Sequence, residues 1–164
     1  MELAKWAGAR VIATVSSPAK SRIAQAAGAD AVVDRREPDV AQRIRSHAPE
    51  GVDRIVEVAI AANIGLDLAV AAPHAVVASY ASDGGADAVV PIRRCMVPNI
   101  GIRFVLVYTM PPDAVRAAIT DVTEALRVGA LTTLPLHRFP LDRTADAHDA
   151  VEKGVTGKVL IDVP

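Results

Sequence analysis

Residues 10–36, RVIATVSSPAKSRIAQAAGADAVVDRR, decide how this chain folds. An apolar, β-branched run from Arg10 to Val15 leads into Ser17-Pro18, a pair suited to opening a helix. A helical stretch from Pro18 to Ala27 follows, and a second apolar run, Ala31 to Val33, comes after it. The alternation continues outward from there. Val52 to Val58, Ala75 to Tyr80 and Arg103 to Tyr108 read as strands, and Asp39 to Ser46, Ala62 to Ala71 and Pro112 to Val128 as helices. VDRIVEV and AVVASY are apolar on both faces or nearly so, as in parallel sheets covered by helices on each side. Repeated strand, helix, strand units therefore predict an α/β fold with a doubly wound parallel sheet.

The helix from Pro112 carries the clearest signals. Proline opens it, Val115, Ala118, Ile119, Val122, Ala125 and Leu126 form one apolar stripe, and Gly129 is placed to end it. Beyond Gly129 the pattern changes to a strand-like LPLHRFPL, a short helix from Arg143 to Lys153 and a closing strand, GKVLIDV. Pro135 and Pro140 restrict the first of these strands to an edge or a bulge. Residues 82–91, SDGGADAVVP, form the one loose connection, with Gly84 and Gly85 at its centre.

Composition narrows the function. The 164 residues are 51% hydrophobic and 23% charged, with 18 Lys plus Arg against 19 Asp plus Glu. That profile belongs to a globular domain with a sizeable core, not to a disordered chain. A balanced charge disfavours nucleic-acid binding, which draws on a basic excess. No apolar run is long enough to span a bilayer, so no membrane partner is expected. The single cysteine, Cys95, excludes an internal disulfide and a multi-cysteine zinc site and fits a cytoplasmic location. His47, His74, His137 and His148 show no metal-ligand spacing, so no metal site is expected.

In a doubly wound sheet, ligands bind beyond the carboxyl ends of the strands. At the first such end, Ser17 is placed to cap the helix that opens with Pro18, and Ser16 and Lys20 add a hydroxyl and a cation, which together suit an anion. An acidic residue there would grip the ribose 2′-hydroxyl of NAD. This chain has Ser16, Ser17 and Lys20 instead, a set that suits the 2′-phosphate of NADP(H). Ordinary helix capping with a solvated lysine accounts for the same residues. Arg35 and Arg36 follow the next strand and could add a phosphate contact, although adjacent arginines in a turn are commonly just solvated. At the later strand ends, Ala59, Ala81 and Ser82 are small enough for a flat ligand to approach the backbone, and Tyr108 could place a phenol near it. No G-x-G-x-x-G turn precedes the first strand.

Five stretches in order carry a resemblance: LAKWAGARVIATVSSPAKSRIAQAAGADAVVD, GVDRIVEV, LDLAVAAPHAVVASYAS, NIGIRFVLVYTMP and FPLDRTADAHDAVEKGVTGKVLIDV. Together they closely resemble the C-terminal half of the zinc-independent, zeta-crystallin-like NADPH:quinone oxidoreductases of the medium-chain dehydrogenase/reductase family. The closing A-H-x-A-V-x-x-G-x-x-G-K-V is the most specific part. The resemblance implies a Rossmann-like sheet that lacks its first strand and Gly-rich turn and ends in a strand-helix-strand extension. Residues 1–130 would be a partial cofactor domain, and residues 131–164 a segment that in relatives returns to the catalytic domain.

The resemblance implies NADP(H) as cofactor and hydride transfer to a quinone or an activated alkene such as an enone. It directs Ser16 and Lys20 to the 2′-phosphate, with Arg35 near the adenosine phosphate. Ala59, Ala81 and Ser82 would run along the cofactor, Tyr108 would lie near the nicotinamide, and Val155 to Gly157 would form a loop approaching the cofactor. Departures fall at Arg35 and at Pro73-His74-Ala75, where relatives usually have a Gly-Gly turn. Without the glycine turn the chain alone is expected to be inactive, and a non-catalytic dimerisation or interaction module is the alternative. The apolar strand Arg103 to Tyr108, at the sheet edge in relatives, is expected to pair two copies into a homodimer.

Overall fold

A computed structural model describes residues 1–164. A short helix, α1 (Glu2–Trp6), precedes the first β-α-β unit: β1 (Ile12–Val15), α2 (Pro18–Ala26) and β2 (Ala31–Asp34), with the two strands parallel and Ile12 opposite Ala31. Next come α3 (Val40–His47), β3 (Val52–Glu57), α4 (Ile60–Val70), β4 (Ala71–Ser79), α5 (Ile92–Met96) and β5 (Gly101–Phe104). Strands β3, β4 and β5 form a second parallel sheet in that order. The chain continues as α6 (Pro112–Arg127), β6 (Leu136–Pro140), α7 (Thr144–Glu152) and β7 (Lys158–Asp162), with β6 and β7 paired in parallel.

Every strand pair is parallel and helices separate the strands, so the α/β expectation holds. The main sheet is divided. Strands β1 and β2 form one ladder and β3-β4-β5 another, and no ladder joins β1 to β3. Each of these two strands keeps one edge without a strand partner. Side chains bridge the break instead. Val33 of β2, Ile44 of α3 and Val70 of α4 form one buried cluster, with Ile12, Val52 and Ile55 packed against it. Ile60, Ile64 and Val77 form a second, with Ile55 common to both.

Helix α4 presents Ile60, Ile64, Asp67 and Val70 as its buried residues, a helical stripe with one acid in it. It starts two residues before the expected Ala62 and runs directly into β4, which is longer than the expected Ala75 to Tyr80. His74 lies inside β4 at φ +64°, where the β3–β4 register shifts between Val52 and Arg54.

The structure corrects the expected strand Arg103 to Tyr108. Strand β5 ends at Phe104, and Val107–Thr109 form a 3-10 turn carrying Tyr108. The Val105 amide still donates to the Ser79 carbonyl at 2.9 Å, the last bond of the ladder before the chain leaves the sheet. Strand β5 remains the sheet edge, bonded to β4 alone. The apolar stripe of α6 is present but largely uncovered, with Ile119 61% and Leu126 59% exposed.

Candidate functional site

Two groups of residues gather beyond the carboxyl ends of the strands. The first lies after β1. Ser17 is in extended backbone (φ −163°, ψ 157°), and its Oγ accepts from the Lys20 amide at 3.2 Å, so it caps α2 as expected. Pro18 fills the first helical position, where a missing N–H costs nothing. No acidic residue stands in the first turn of α2. Lys20 folds back so that Nζ donates to Ser16 Oγ at 3.3 Å, which holds the cation over the strand end.

Arg35 joins this group through the backbone, since its N–H donates to the Val15 carbonyl at 2.8 Å. The neighbouring arginine is already engaged. Arg36 donates through Nε and NH2 to Asp34 at 3.0 and 2.6 Å, and this pairing draws the Asp34 carboxyl down to about 2. Arg35 makes no side-chain hydrogen bond or ion pair, so of the two guanidinium groups it is the one available to a ligand. A cleft of about 290 Å³ opens beside Lys20, lined also by Thr14, Val15, Ile23, Leu134, Thr156 and Gly157. Thr156 and Gly157 of the C-terminal loop thus share this cleft with the end of β1.

Gly157 lets the loop pass close to Pro135. At φ +132° a side chain is strained, and a Cβ would overlap the Pro135 carbonyl, which accepts from the Lys158 amide at 2.8 Å as β7 begins. No sequence signal beyond the glycine itself points to this contact.

The second group lies where β3 and β4 end. Ala59 begins the turn into α4, and the Asp83 amide donates to the Val58 carbonyl at 2.9 Å, bringing Ser82 and Asp83 over that turn. Ser79, buried, donates its hydroxyl to the Ala81 carbonyl at 3.1 Å. Gly84 packs so closely that a Cβ would stand 3.3 Å from that of Ala62 and 3.6 Å from that of Ala59. Ala59, Ala81 and Ser82 therefore form one small-residue corner. Tyr108 joins neither group and is 89% exposed on its 3-10 turn.

Beneath this corner lies a cluster that the sequence reading missed. Glu57 is buried, and its Oε1 accepts from the Val58 and Ala59 amides, both at 2.7 Å, and from Asn63 Nδ2 at 3.2 Å; Oε2 accepts from Asn63 at 3.1 Å. Asp67, 4% exposed, lies against Glu57 with its Oδ2 unpartnered. Burial, then the charge of Glu57 and their hydrogen bond, push the Asp67 carboxyl up to about 7. No group of three or more His, Cys, Asp or Glu side chains is placed to hold a metal ion. No helix is long and apolar enough to cross a membrane.

Comparison with known proteins agrees with this architecture. Quinone oxidoreductase of Pongo abelii is 23% identical over 163 residues, covering 98% of this chain and 49% of the relative, so the chain spans about half the length of that protein. An NAD-dependent alcohol dehydrogenase structure superposes with a TM-score of 0.84 at 26% identity, over 99% of this chain and 46% of the other. A mycobacterial protein solved in complex with NADPH gives 0.81 at 24% identity, over 99% and 51%, a likeness of fold. Residues 1–124 match the family described as zinc-binding dehydrogenase, and since this is well over half the chain, the chain belongs to that family.

Proposed function

We propose that this chain is the cofactor-binding portion of an NADP(H)-dependent oxidoreductase that reduces a quinone or an activated alkene. The observation that carries the reading is the end of β1. A capped helix N-terminus, the Lys20 ammonium above Ser16, the Arg35 guanidinium and the absence of an acid in the first turn of α2 together suit a phosphate monoester. In this reading Ser16, Ser17, Lys20 and Arg35 bind the 2′-phosphate end. Ala59, Ala81 and Ser82 present a flat wall to the rest of the cofactor, and Tyr108 lies toward the nicotinamide.

The bound nicotinamide would supply the hydride. The chain's own residues orient it and keep water from the strand ends. Zinc, although part of the family description, has no donor set among these side chains.

Residues 1–130 are proposed as the cofactor unit, residues 131–164 as the segment that joins it to a substrate-binding portion, and the cytoplasm as the location. Reduction itself is assigned to the assembled enzyme; the chain alone would be inactive. Homodimer formation through the β5 edge completes the proposal, supported by the exposure of Phe104 (73%) and Leu106 (58%) beside it. Titration of NADPH and NADH, followed by nicotinamide fluorescence, tests the cofactor assignment. Tighter binding of NADPH supports it, and equal or inverted affinities overturn it.

A further inference from the structure

Two carboxyl groups lie buried against each other with no cation to neutralise them: neither Glu57 nor Asp67 takes part in any ion pair. Two buried like charges without a counter-ion are costly, so one group keeps a proton. The hydrogen bonds decide which one. Both Glu57 oxygens accept N–H donors, the pattern of a carboxylate, and that side chain has no acceptor for a proton of its own. Asp67 accepts from no N–H donor, its Oδ2 has no partner, and its carboxyl is raised by the neighbouring Glu57. Its proton has a single place to go.

We propose that Asp67 is a positioning residue that, in its protonated form, donates its O–H to Glu57, and that this buried pair fixes the Val58–Ala59 turn. Glu57 is the clamp, because it holds both amides of the turn on one oxygen at 2.7 Å. Asp67 braces the clamp from α4, ten residues on, while Asn63, one helical turn earlier, holds both Glu57 oxygens. The turn in turn carries Ala59 against Gly84. Loss of the Asp67 proton places a second negative charge beside Glu57, removes the O–H donor and loosens the turn. That this turn borders a cofactor rests on the function proposed above. The brace itself does not.

Other charged groups on the elements packed against α4 leave the pair alone. Asp53 and Arg54 of β3 are exposed, as are His74 of β4 and Asp83 and Asp87 of the loop packed on α4. On α3, Arg43 is paired with Glu37, and Arg45 donates to the carbonyls of Ala69, Pro49 and Ala71. His47 ends that helix, and among all these the Asp67 carboxyl responds to Glu57.

The test uses the full chain without cofactor. Carboxyl-carbon NMR of labelled aspartate should show Asp67 titrating near neutrality, well above the ordinary range of about 3.9. Protection of the Val58 and Ala59 amides, corrected for intrinsic exchange rates, should fall about tenfold or more between about pH 5 and about pH 9. Asp67→Asn, which keeps an N–H donor toward Glu57 and cannot ionise, should hold protection constant across that range. Asp67 titrating near its ordinary value overturns the proposal even if the variant does not fold. So does an Asn variant with the wild-type pH dependence. Failure of NADPH to bind would overturn the function proposed above and leave these two results as they are.

Discussion

The ammonium of Lys20 lies 3.3 Å from the hydroxyl of Ser16, while the amide of Lys20 donates to Ser17. One residue is thereby tied at both ends to the strand end it follows, and its charge is oriented before any ligand arrives. A charge-assisted hydrogen bond to phosphate contributes about 1.5–3 kcal/mol. Lys20→Ala should therefore weaken NADPH about tenfold or more and leave NADH nearly unchanged, as read by fluorescence titration. Equal loss for both cofactors would place Lys20 away from the 2′-phosphate.

Asp67 should also give the chain an unusual dependence of stability on pH. In the unfolded chain its carboxyl loses its proton near its ordinary value of 3.8, whereas in the folded chain it holds on to about 7. Between those values the folded state binds more protons, so stability from this group falls as pH rises and levels off above the folded value. The slope is at most about 1.4 kcal/mol per pH unit. Asp30, Asp34 and Glu124, held low by Lys5, Arg36 and Arg127, act in the opposite sense, and their stabilisation is lost in acid. Urea unfolding should give a higher midpoint near about pH 5 than near about pH 8, and Asp67→Asn should erase most of that difference. Equal wild-type midpoints would count against a protonated Asp67.

His74 occupies a backbone conformation that favours glycine. Its φ is +64°, its side chain is exposed, and its amide donates to the Pro98 carbonyl at 2.7 Å. A side chain in the left-handed region costs about 1–2 kcal/mol, and part of any gain from glycine is offset by its greater freedom in the unfolded chain. His74→Gly keeps the amide and should stabilise the chain by about 0.5–1 kcal/mol, raising the melting temperature by about 1–4 °C. A lower melting temperature would mean that the imidazole makes a stabilising contact.

How far the sequence could be read follows from which signals are local. The strands β1, β2 and β7 and the Ser17 cap were legible because an apolar run bounded by Ser-Pro or glycine carries its own punctuation. Val105 to Tyr108 was misread because an apolar, β-branched run looks the same in a ladder and in a surface turn. Only the partner strand shows that the ladder ends at the Val105 amide. Helix α5, five residues long, is too short to show a period. The apolar stripe of α6 was plain, yet a stripe states that a face is suited to burial and not that it is buried. Glu57, Asn63 and Asp67 escaped notice because they meet across a strand-to-helix junction, where neither the period of a strand nor that of a helix applies. The one trace was an acid inside the apolar stripe of α4.

The β5 edge leads to the last prediction. The chain exposes 11146 Å² and buries 17 of its 164 residues. A compact monomer of 17.2 kDa would expose about 7,800 Å². Much of the excess is apolar, including Phe104, Leu106 and Val107 beside the free edge of β5. Because the Val105 amide points inward to Ser79, alternation along the strand turns the Ile102 and Phe104 amides outward. Phe104→Pro thus removes an outward donor and an exposed ring without breaking the β4–β5 ladder, whereas Val105→Pro removes a bond internal to the fold. Light scattering at micromolar concentration should find the wild-type chain as a dimer or larger assembly and Phe104→Pro shifted toward monomer. Val105→Pro should instead lower the melting temperature. A monodisperse wild-type monomer would overturn pairing through this edge.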